Sequence, residues 1–358
     1  MKMACMPLRF QVLTRINIYN VLKSVILLVI AVCASGIRAN PNPPVEEFNL
    51  QGFAQGTTYS IRYYAADSLV RRYQVDSLLR VIDQSMSIYN AESKISLFNK
   101  EETKEMSLDI HMQKVIRASL KYNKLTKGFF DITVLPLVNL WGFGPQKKME
   151  EPTSTQIDSV RKFVGIDKIL LKGNRLIKRA SKVSLVLDGI AQGYTVDILA
   201  DFFKNKQVNR FIIELGGEIY AYGVKPDGES FKVRIQRPYR DSEEGYIVTL
   251  QDRAITTSGN YEKYRITDGQ HISHHINPAT GRTVQNTTIS ATVIAKTAMQ
   301  ADALDNYLMF LPPEEAIAFV EKQKEVEAYI IYEENNELKE LQSSGFNNYI
   351  YNINHKPN

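Results

Sequence analysis

Within T-A-M-Q-A-D-A-L-D-N-Y-L-M-F-L, Thr297 to Leu311, two aspartates and an asparagine interrupt an otherwise apolar helical pattern. At about 100° per residue, Asp302, Asp305, Asn306 and Met309 share one stripe, whereas Leu304, Leu308 and Leu311 face away. Oxygen-bearing side chains converging on one stripe suit a hard cation, Mg2+ or Ca2+, while zinc would ask for His or Cys. A solvated helix face is the competing reading. Such a face ordinarily mixes in Lys or Arg at i+4, and this stripe has neither.

A second concentration of chemistry is D-G-Q-H-I-S-H-H-I-N-P-A-T-G-R, which holds His271, His274 and His275 ahead of an N-P-A-T-G turn. No cysteine is near, so a zinc site would need a remote partner. Imidazole exchanges protons near neutral pH, which makes a base or phosphate-orienting role the alternative to histidines on an exposed strand end. Glycine-rich turns follow strands in E-L-G-G-E, in T-T-S-G-N-Y and in L-D-G-I-A-Q-G-Y. The last runs into a helix whose free N–H groups could hold a phosphate. It is neither a P-loop nor a Rossmann fingerprint. The single tryptophan, Trp141, lies in K-G-F-F-D-I-T-V-L-P-L-V-N-L-W-G-F-G, where core packing competes with an aromatic wall for a planar ligand.

These stretches must be positioned by regular elements. Alternation over Thr57–Tyr64 predicts a first strand, and the spacing of Leu69, Tyr73, Leu78, Val81 and Ile82 predicts a helix over Asp67–Met86. A second helix runs through M-Q-K-V-I-R-A-S-L-K-Y-N-K-L-T and stops at Gly128. Strands are read in V-N-R-F-I-I-E-L-G-G-E-I-Y-A-Y-G, K-V-R-I-Q-R-P, Y-I-V-T-L-Q-D-R-A-I-T-T-S-G and T-I-S-A-T-V-I-A, with V-E-A-Y-I-I-Y as the closing strand. A-Q-G-Y-T-V-D-I-L-A-D-F-F and P-P-E-E-A-I-A-F-V-E-K are read as helices. The strands cluster and do not alternate with helices, which predicts an α+β fold, a largely antiparallel sheet with packed helices.

The chain has 358 residues, enough for a substantial core, and a net charge of +5. Lys2, Arg9, Arg15, Lys23 and Arg38 carry that excess, so the remainder is close to neutral and nucleic acid is not an expected partner. The basic start followed by S-V-I-L-L-V-I-A-V-C-A-S-G has the pattern of an export signal. The run is shorter than the roughly 20 apolar residues of a spanning helix. Residues 1–39 are therefore expected to export the chain and associate it with the inner membrane, facing the periplasm. Cleavage before Cys33 would give a lipid anchor, and cleavage nearer Ala39 a soluble product. A Pro-rich tether over 40–47 should precede a domain over 48–352. Only Cys5 and Cys33 exist, so the domain has neither disulfide framework nor thiol nucleophile.

Taken in order, M-S-I-Y-N-A-E-S-K-I-S-L-F-N, F-D-I-T-V-L-P-L-V-N-L-W-G-F-G, I-A-Q-G-Y-T-V-D, I-I-E-L-G-G-E-I, T-T-S-G-N-Y, H-I-N-P-A-T-G-R and A-D-A-L-D-N resemble the FAD:protein FMN transferase family, the ApbE flavin transferases. The resemblance runs from about Gly52 to the last strand and implies an ApbE-like, T-fold-like single catalytic domain. It implies Mg2+-dependent transfer of the FMN half of FAD to a Thr or Ser hydroxyl of a partner flavoprotein, with release of AMP. Carried over by motif, Tyr89, Phe129, Phe130 and Asp131 belong to the flavin site. Gln192 and Ile276 contact FAD, and Gln55 stands where a Met near the adenine is usual. Gly189 supplies a backbone metal ligand beside Asp302, Asp305 and Asn306. Val186 replaces a usual Asp, and Asp188 is expected to take over from it. Asn277 stands where an Asp adjoins the turn.

Cleaving a pyrophosphate requires neutralised phosphate charge and an aligned hydroxyl, which a carboxylate-held cation and the partner supply. Asp302 or Asp305 is the expected base and His274 the expected phosphate contact. The implied acceptors are flavoprotein subunits of membrane electron-transfer complexes, such as sodium-pumping NADH:quinone oxidoreductase. Two other readings stand beside this one, a FAD pyrophosphatase giving FMN and AMP, and a non-catalytic FAD-binding protein.

Overall fold

A computed structural model describes residues 44–145, 151–238, 245–260, 264–267 and 270–351. The expected export segment with Cys33, tether residues 40–43 and position 352 lie outside them. A unit boundary falls between Pro44 and Val45.

The first strand, β1 (Glu46–Ala54), pairs with β2 (Thr57–Ala65) along nine unbroken positions. Gln55 and Gly56 join them with φ of 53° and 76°, the doubly positive pattern of a two-residue hairpin turn. The sequence reading starts the sheet at β2. Its omission of β1 has a physical reason, since β1 is an edge strand whose inward positions are only half-buried and whose outward positions include the apolar Phe53. Helix α1 spans Arg72–Met86 and starts later than the expected Asp67. At that start the Arg71 N–H donates to Gln74 Oε1 at 3.0 Å and the Gln74 N–H to the Arg71 carbonyl, so the side chain at the third helical position closes the first turn. Helices α2 (Lys94–Asn99), α3 (Ile110–Leu125), α4 (Leu135–Leu140) and α5 (Ser154–Arg161) follow. Gly128, at φ 91°, lies just beyond α3 where the sequence places the stop. Among these helices, β3 (Glu105–Ser107), β4 (Ile169–Lys172) and β5 (Arg175–Lys178) form a small sheet in the order β3-β5-β4.

Helix α6 (Asp188–Asn205) leads into β6 (Phe211–Leu215) and β7 (Glu218–Tyr222). A hairpin of β8 (Phe231–Arg234) and β9 (Ile247–Leu250) comes next, then β10 (Arg253–Gly259) and a second hairpin of β11 (Tyr264–Thr267) and β12 (Gln270–Ser273). The chain continues through β13 (Thr288–Ala295), α7 (Ala298–Leu308), α8 (Pro313–Val320), β14 (Glu327–Glu334) and β15 (Glu337–Gln342). The expected closing strand is thus the penultimate one. Asn335 and Asn336, both at positive φ, turn the chain back into β15.

The main sheet has the order β1-β2-β6-β7-β10-β13-β14-β15, and every neighbouring pair is antiparallel. This is the expected α+β architecture. Strand β13 is buried at every position, because both of its faces are covered. Ala291, Val293 and Ala295 pack toward α6 and α7, whereas Ile294 joins Ile255, Ile331, Val248 and Phe346 on the opposite face. Helix α7 therefore lies on the most deeply buried strands of the molecule.

Candidate active site

Small residues bring α6 and α7 together. An added Cβ at Gly193 would lie 2.4 Å from the Ala298 carbonyl oxygen and 2.8 Å from Asp302 Cβ. The two helices then terminate each other's exposed backbone groups. Asp197 on α6 accepts from the Ala298 N–H at 2.8 Å and the Met299 N–H at 3.0 Å, while Thr297 Oγ1 accepts from Gln300. In return, Asp302 Oδ2 on α7 accepts from the Gly193 N–H at 2.9 Å. In a regular helix that N–H would donate to the Gly189 carbonyl. Gly189 itself departs from helical geometry at φ −81° and ψ 18°. The kink and the Asp302 acceptor mark Gly189–Gly193 as the stretch where α6 departs from regular helical geometry.

Asp302 and Asp305 are 3% and 2% exposed, which removes the solvated-face reading of the polar stripe. Asn306 Nδ2 donates to the Asp302 carbonyl at 2.9 Å and to Asp302 Oδ1 and Asp305 Oδ1 at 3.2 Å each. Ser258 Oγ on β10 donates to Asp305 Oδ1 at 3.2 Å. Burial and the adjacent Asp302 charge push the Asp305 carboxyl well above the usual carboxylate range. The Asn306 side chain lies against Gly189, where an added Cβ would be 3.5 Å from its Cγ. Two buried carboxylates, an amide and a kinked backbone thus meet at one point. Among the described residues, no three His, Cys, Asp or Glu side chains form a metal-binding group, so any cation here needs the amide and backbone oxygens. That all-oxygen set fits a hard divalent ion, whose charge would offset the repulsion between the carboxylates.

The other expected site residues fall into three groups. The first lies along the start of α6. Asp188 is exposed, and partial burial, then the Asp188 charge, raise the pKa of the Tyr89 phenol, although the residue is 68% exposed. Gln192 lies beside Gly216 in the β6–β7 turn, and Gln55 Nε2 donates to Thr195 Oγ1 at 3.1 Å. The β1–β2 turn is thereby tied to α6.

The second group is aromatic. Phe129 is half-buried, with its ring centroid 5.9 Å from that of Tyr307 and 5.7 Å from that of Phe310. Phe130 is buried in the core against Tyr122. Asp131 holds a turn, accepting from the Thr133 N–H and hydroxyl through Oδ1 and from the Ile166 N–H through Oδ2.

The third group surrounds the N-P-A-T-G turn. His274 is half-buried beside Phe143, and His275 is buried beside Phe310. His271 lies on β12, and its side chain is outside the described set. The Ile276 side chain is 4% exposed in an apolar cluster with Leu137, Leu140 and Trp141, which leaves its backbone as the part able to meet a ligand. Trp141 is core, and its Nε1 donates to the Gly281 carbonyl at 2.8 Å. Asn277 Oδ1 accepts from the Ala279 and Thr280 N–H groups, a turn-holding role that Asp and Asn perform alike. Val186 takes part through its backbone, donating to the Ile132 carbonyl.

Sequence reasoning did not single out Gly193, Asp197, Ser258 or Asn260 individually. Ser258 and Asn260 sit in the T-T-S-G-N-Y stretch and Gly193 in I-A-Q-G-Y, so motif position was the available signal for those three. Asp197 closes the same I-A-Q-G-Y-T-V-D stretch, but its partners, Ala298 and Met299, are about a hundred residues away and nothing local announces them.

The ApbE family model matches residues 55–330. The FAD:protein FMN transferase of Vibrio cholerae is 33% identical over 328 residues, covering 90% of this chain and 98% of the relative. That of Haemophilus influenzae is 32% identical over 339 residues, covering 91% and 98%. Among solved structures, the flavin transferase ApbE of Vibrio cholerae superposes with a TM-score of 0.78 at 32% identity, over 86% of this chain and 100% of that one. The apo flavinyl transferase ApbE of Pseudomonas stutzeri gives 0.77 at 29% identity, over 86% and 96%.

Proposed function

The chain belongs to the ApbE family, from which we infer that it is an enzyme, a FAD:protein FMN transferase, and propose that it uses Mg2+ to move the FMN half of FAD onto a Thr or Ser hydroxyl of a partner flavoprotein. The observation that carries the proposal is the meeting of Asp302, Asp305 and Asn306 with the kinked Gly189 at the α6–α7 contact. In the proposed reaction the acceptor hydroxyl oxygen bonds to the phosphorus of the FMN half. The P–O bond to AMP breaks, and the hydroxyl proton passes to a carboxylate, Asp302 or Asp305.

Asp302, Asp305, Asn306 and the Gly189 carbonyl would hold the Mg2+. When bound, that ion supplies charge neutralisation on the pyrophosphate. Tyr89 and Phe129 offer aromatic surface to the flavin, with Phe130 and Asp131 fixing the segment behind it. Asp188, Gln192, Gln55 and the Ile276 backbone contact the rest of FAD, and His274 orients a phosphate. We further propose that residues 1–39 export the chain and hold it at the inner membrane facing the periplasm, with Cys33 as the lipid-anchor position. The acceptors proposed are flavin-carrying subunits of membrane electron-transfer complexes, sodium-pumping NADH:quinone oxidoreductase among them.

The test is incubation with FAD, Mg2+ and a candidate acceptor, read by in-gel flavin fluorescence and by mass spectrometry of the acceptor. The expected result is an added FMN with wild-type protein and none with Asp302→Ala. Free FMN released equally fast without acceptor would favour hydrolysis. FAD that co-purifies and stays intact with Mg2+ would favour a binding protein.

A further inference from the structure

His275 follows His274 directly in S-H-H-I-N-P and is 4% exposed. Its Nδ1 lies 3.1 Å from Ser273 Oγ and 3.2 Å from Asn260 Oδ1. The direction of these bonds follows from their neighbours. Asn260 Nδ2 donates to the Thr288 carbonyl at 2.8 Å, which turns Oδ1 toward Ser273 and His275. Ser273 Oγ donates its single proton to that Oδ1 at 2.7 Å. Both oxygens near His275 Nδ1 therefore act as acceptors, so Nδ1 carries hydrogen. A side chain anchored at its own ring nitrogen cannot rotate about its last torsion without breaking these bonds.

The ring so fixed lies against His274, with centroids 4.1 Å apart and planes inclined by 41°. Phe143 also meets the His274 ring at 6.3 Å in an edge contact. His275 continues to Phe310 at 5.9 Å, and Phe310 to Phe129, so the histidine pair connects to the end of α7 through aromatic contacts. A flat apolar residue at 275 would fill the same space but would not be held in plane. We propose that His275 is a positioning residue, its Nδ1–H locked by Asn260 and Ser273, that sets the orientation of the His274 ring toward the substrate phosphate. The inference rests on the transferase reading of His274 given above.

Two measurements test it. Nitrogen-15 NMR of histidine-labelled full chain reports the tautomer without any turnover, and hydrogen on His275 Nδ1 is the expected result. A deprotonated Nδ1 would overturn the proposal. In flavin transfer, His275→Phe keeps a flat ring and loses the anchor, whereas His275→Asn keeps a donor and loses the ring. Both should lower kcat by about ten- to a hundredfold, as displaced supports of reacting groups do, with the KM for FAD changed less than about twofold. In a His274→Ala background neither should lower kcat further. Wild-type kcat in either variant, or losses that multiply with that of His274→Ala, would show that His275 does not act through His274. Failure of the wild-type chain to modify any acceptor would instead sink the transferase reading, and the tautomer measurement would still stand as the separate result.

Discussion

Replacing Gly193 with alanine tests whether the α6–α7 contact builds the cation site. The new Cβ would be 2.4 Å from the Ala298 carbonyl oxygen, 2.6 Å from its carbon and 2.8 Å from Asp302 Cβ. These neighbours are backbone or the first side-chain atom, so no rotamer change relieves them. Carbon–oxygen contacts settle at about 3.3–3.6 Å, so the helices must separate locally by about 1 Å. Overpacking of this kind costs about 1–3 kcal/mol. The Gly193 N–H to Asp302 bond, now 2.9 Å, would stretch beyond hydrogen-bond range, and a bond to a charged group contributes about 1.5–3 kcal/mol. The better helix propensity of alanine offsets only about 1 kcal/mol. The expected net loss is therefore about 1.5–5 kcal/mol by urea unfolding, and the Mg2+ concentration for half-maximal flavin transfer should rise at least about tenfold. Gly189→Ala is the control. Its Cβ would meet Asn306 no closer than 3.5 Å and its φ is negative, so stability should stay within about 0.5 kcal/mol. Equal stability and equal Mg2+ dependence for Gly193→Ala and wild type would refute the reasoning.

Further outcomes follow from single contacts. Tyr89→Ala, at a position 68% exposed, should leave the urea midpoint unchanged and raise the KM for FAD; an unchanged KM would remove Tyr89 from the flavin site. Asp197 is pushed up to about 6, chiefly by burial, from an ordinary value of 3.8. A folded-state value above the unfolded one favours folding when the carboxyl is protonated, and that contribution is lost as pH rises from about 4 through 6. The loss amounts to about 3 kcal/mol, and Asp197→Asn should lack it; parallel stability profiles over pH 4–7 for the two proteins would contradict this. Asn277→Ala should lose about 1 kcal/mol by removing the acceptor of two turn N–H groups, whereas Asn277→Asp should be nearly neutral, both read by urea unfolding.

What the sequence made legible divides along physical lines. Strand β2 and helix α3 announce themselves because each buries one face, and burial imposes periodicity, whereas β13, buried on both faces, is legible as an unbroken apolar run. Strand β1 does not, since its inward positions are only half-buried and the exposed Phe53 blurs the apolar alternation. The α1 start falls later than hydrophobic spacing places it because the Gln74 side chain, accepting from the Arg71 N–H, closes the first turn there. The acidic stripe on α7 was legible as oxygen donors lacking a basic neighbour in the helix. Its burial, and the Gly193 N–H and Ser258 hydroxyl that hold it, are tertiary facts. The same limit explains Asp197 and His275, whose roles depend on partners brought in by other strands and helices.

The bond between Gly193 and Asp302 joins residues 109 positions apart, and the chain between them includes β6, β7, β10 and β13 of the main sheet. Closing so long a loop must wait until non-local strand pairing is in place. The carboxylate cluster is thus expected to assemble late in folding. A cation bound there would slow unfolding while leaving the rate of folding nearly unchanged, because its ligands come together after the rate-limiting barrier. The occupied site would then act as a kinetic latch on the finished enzyme.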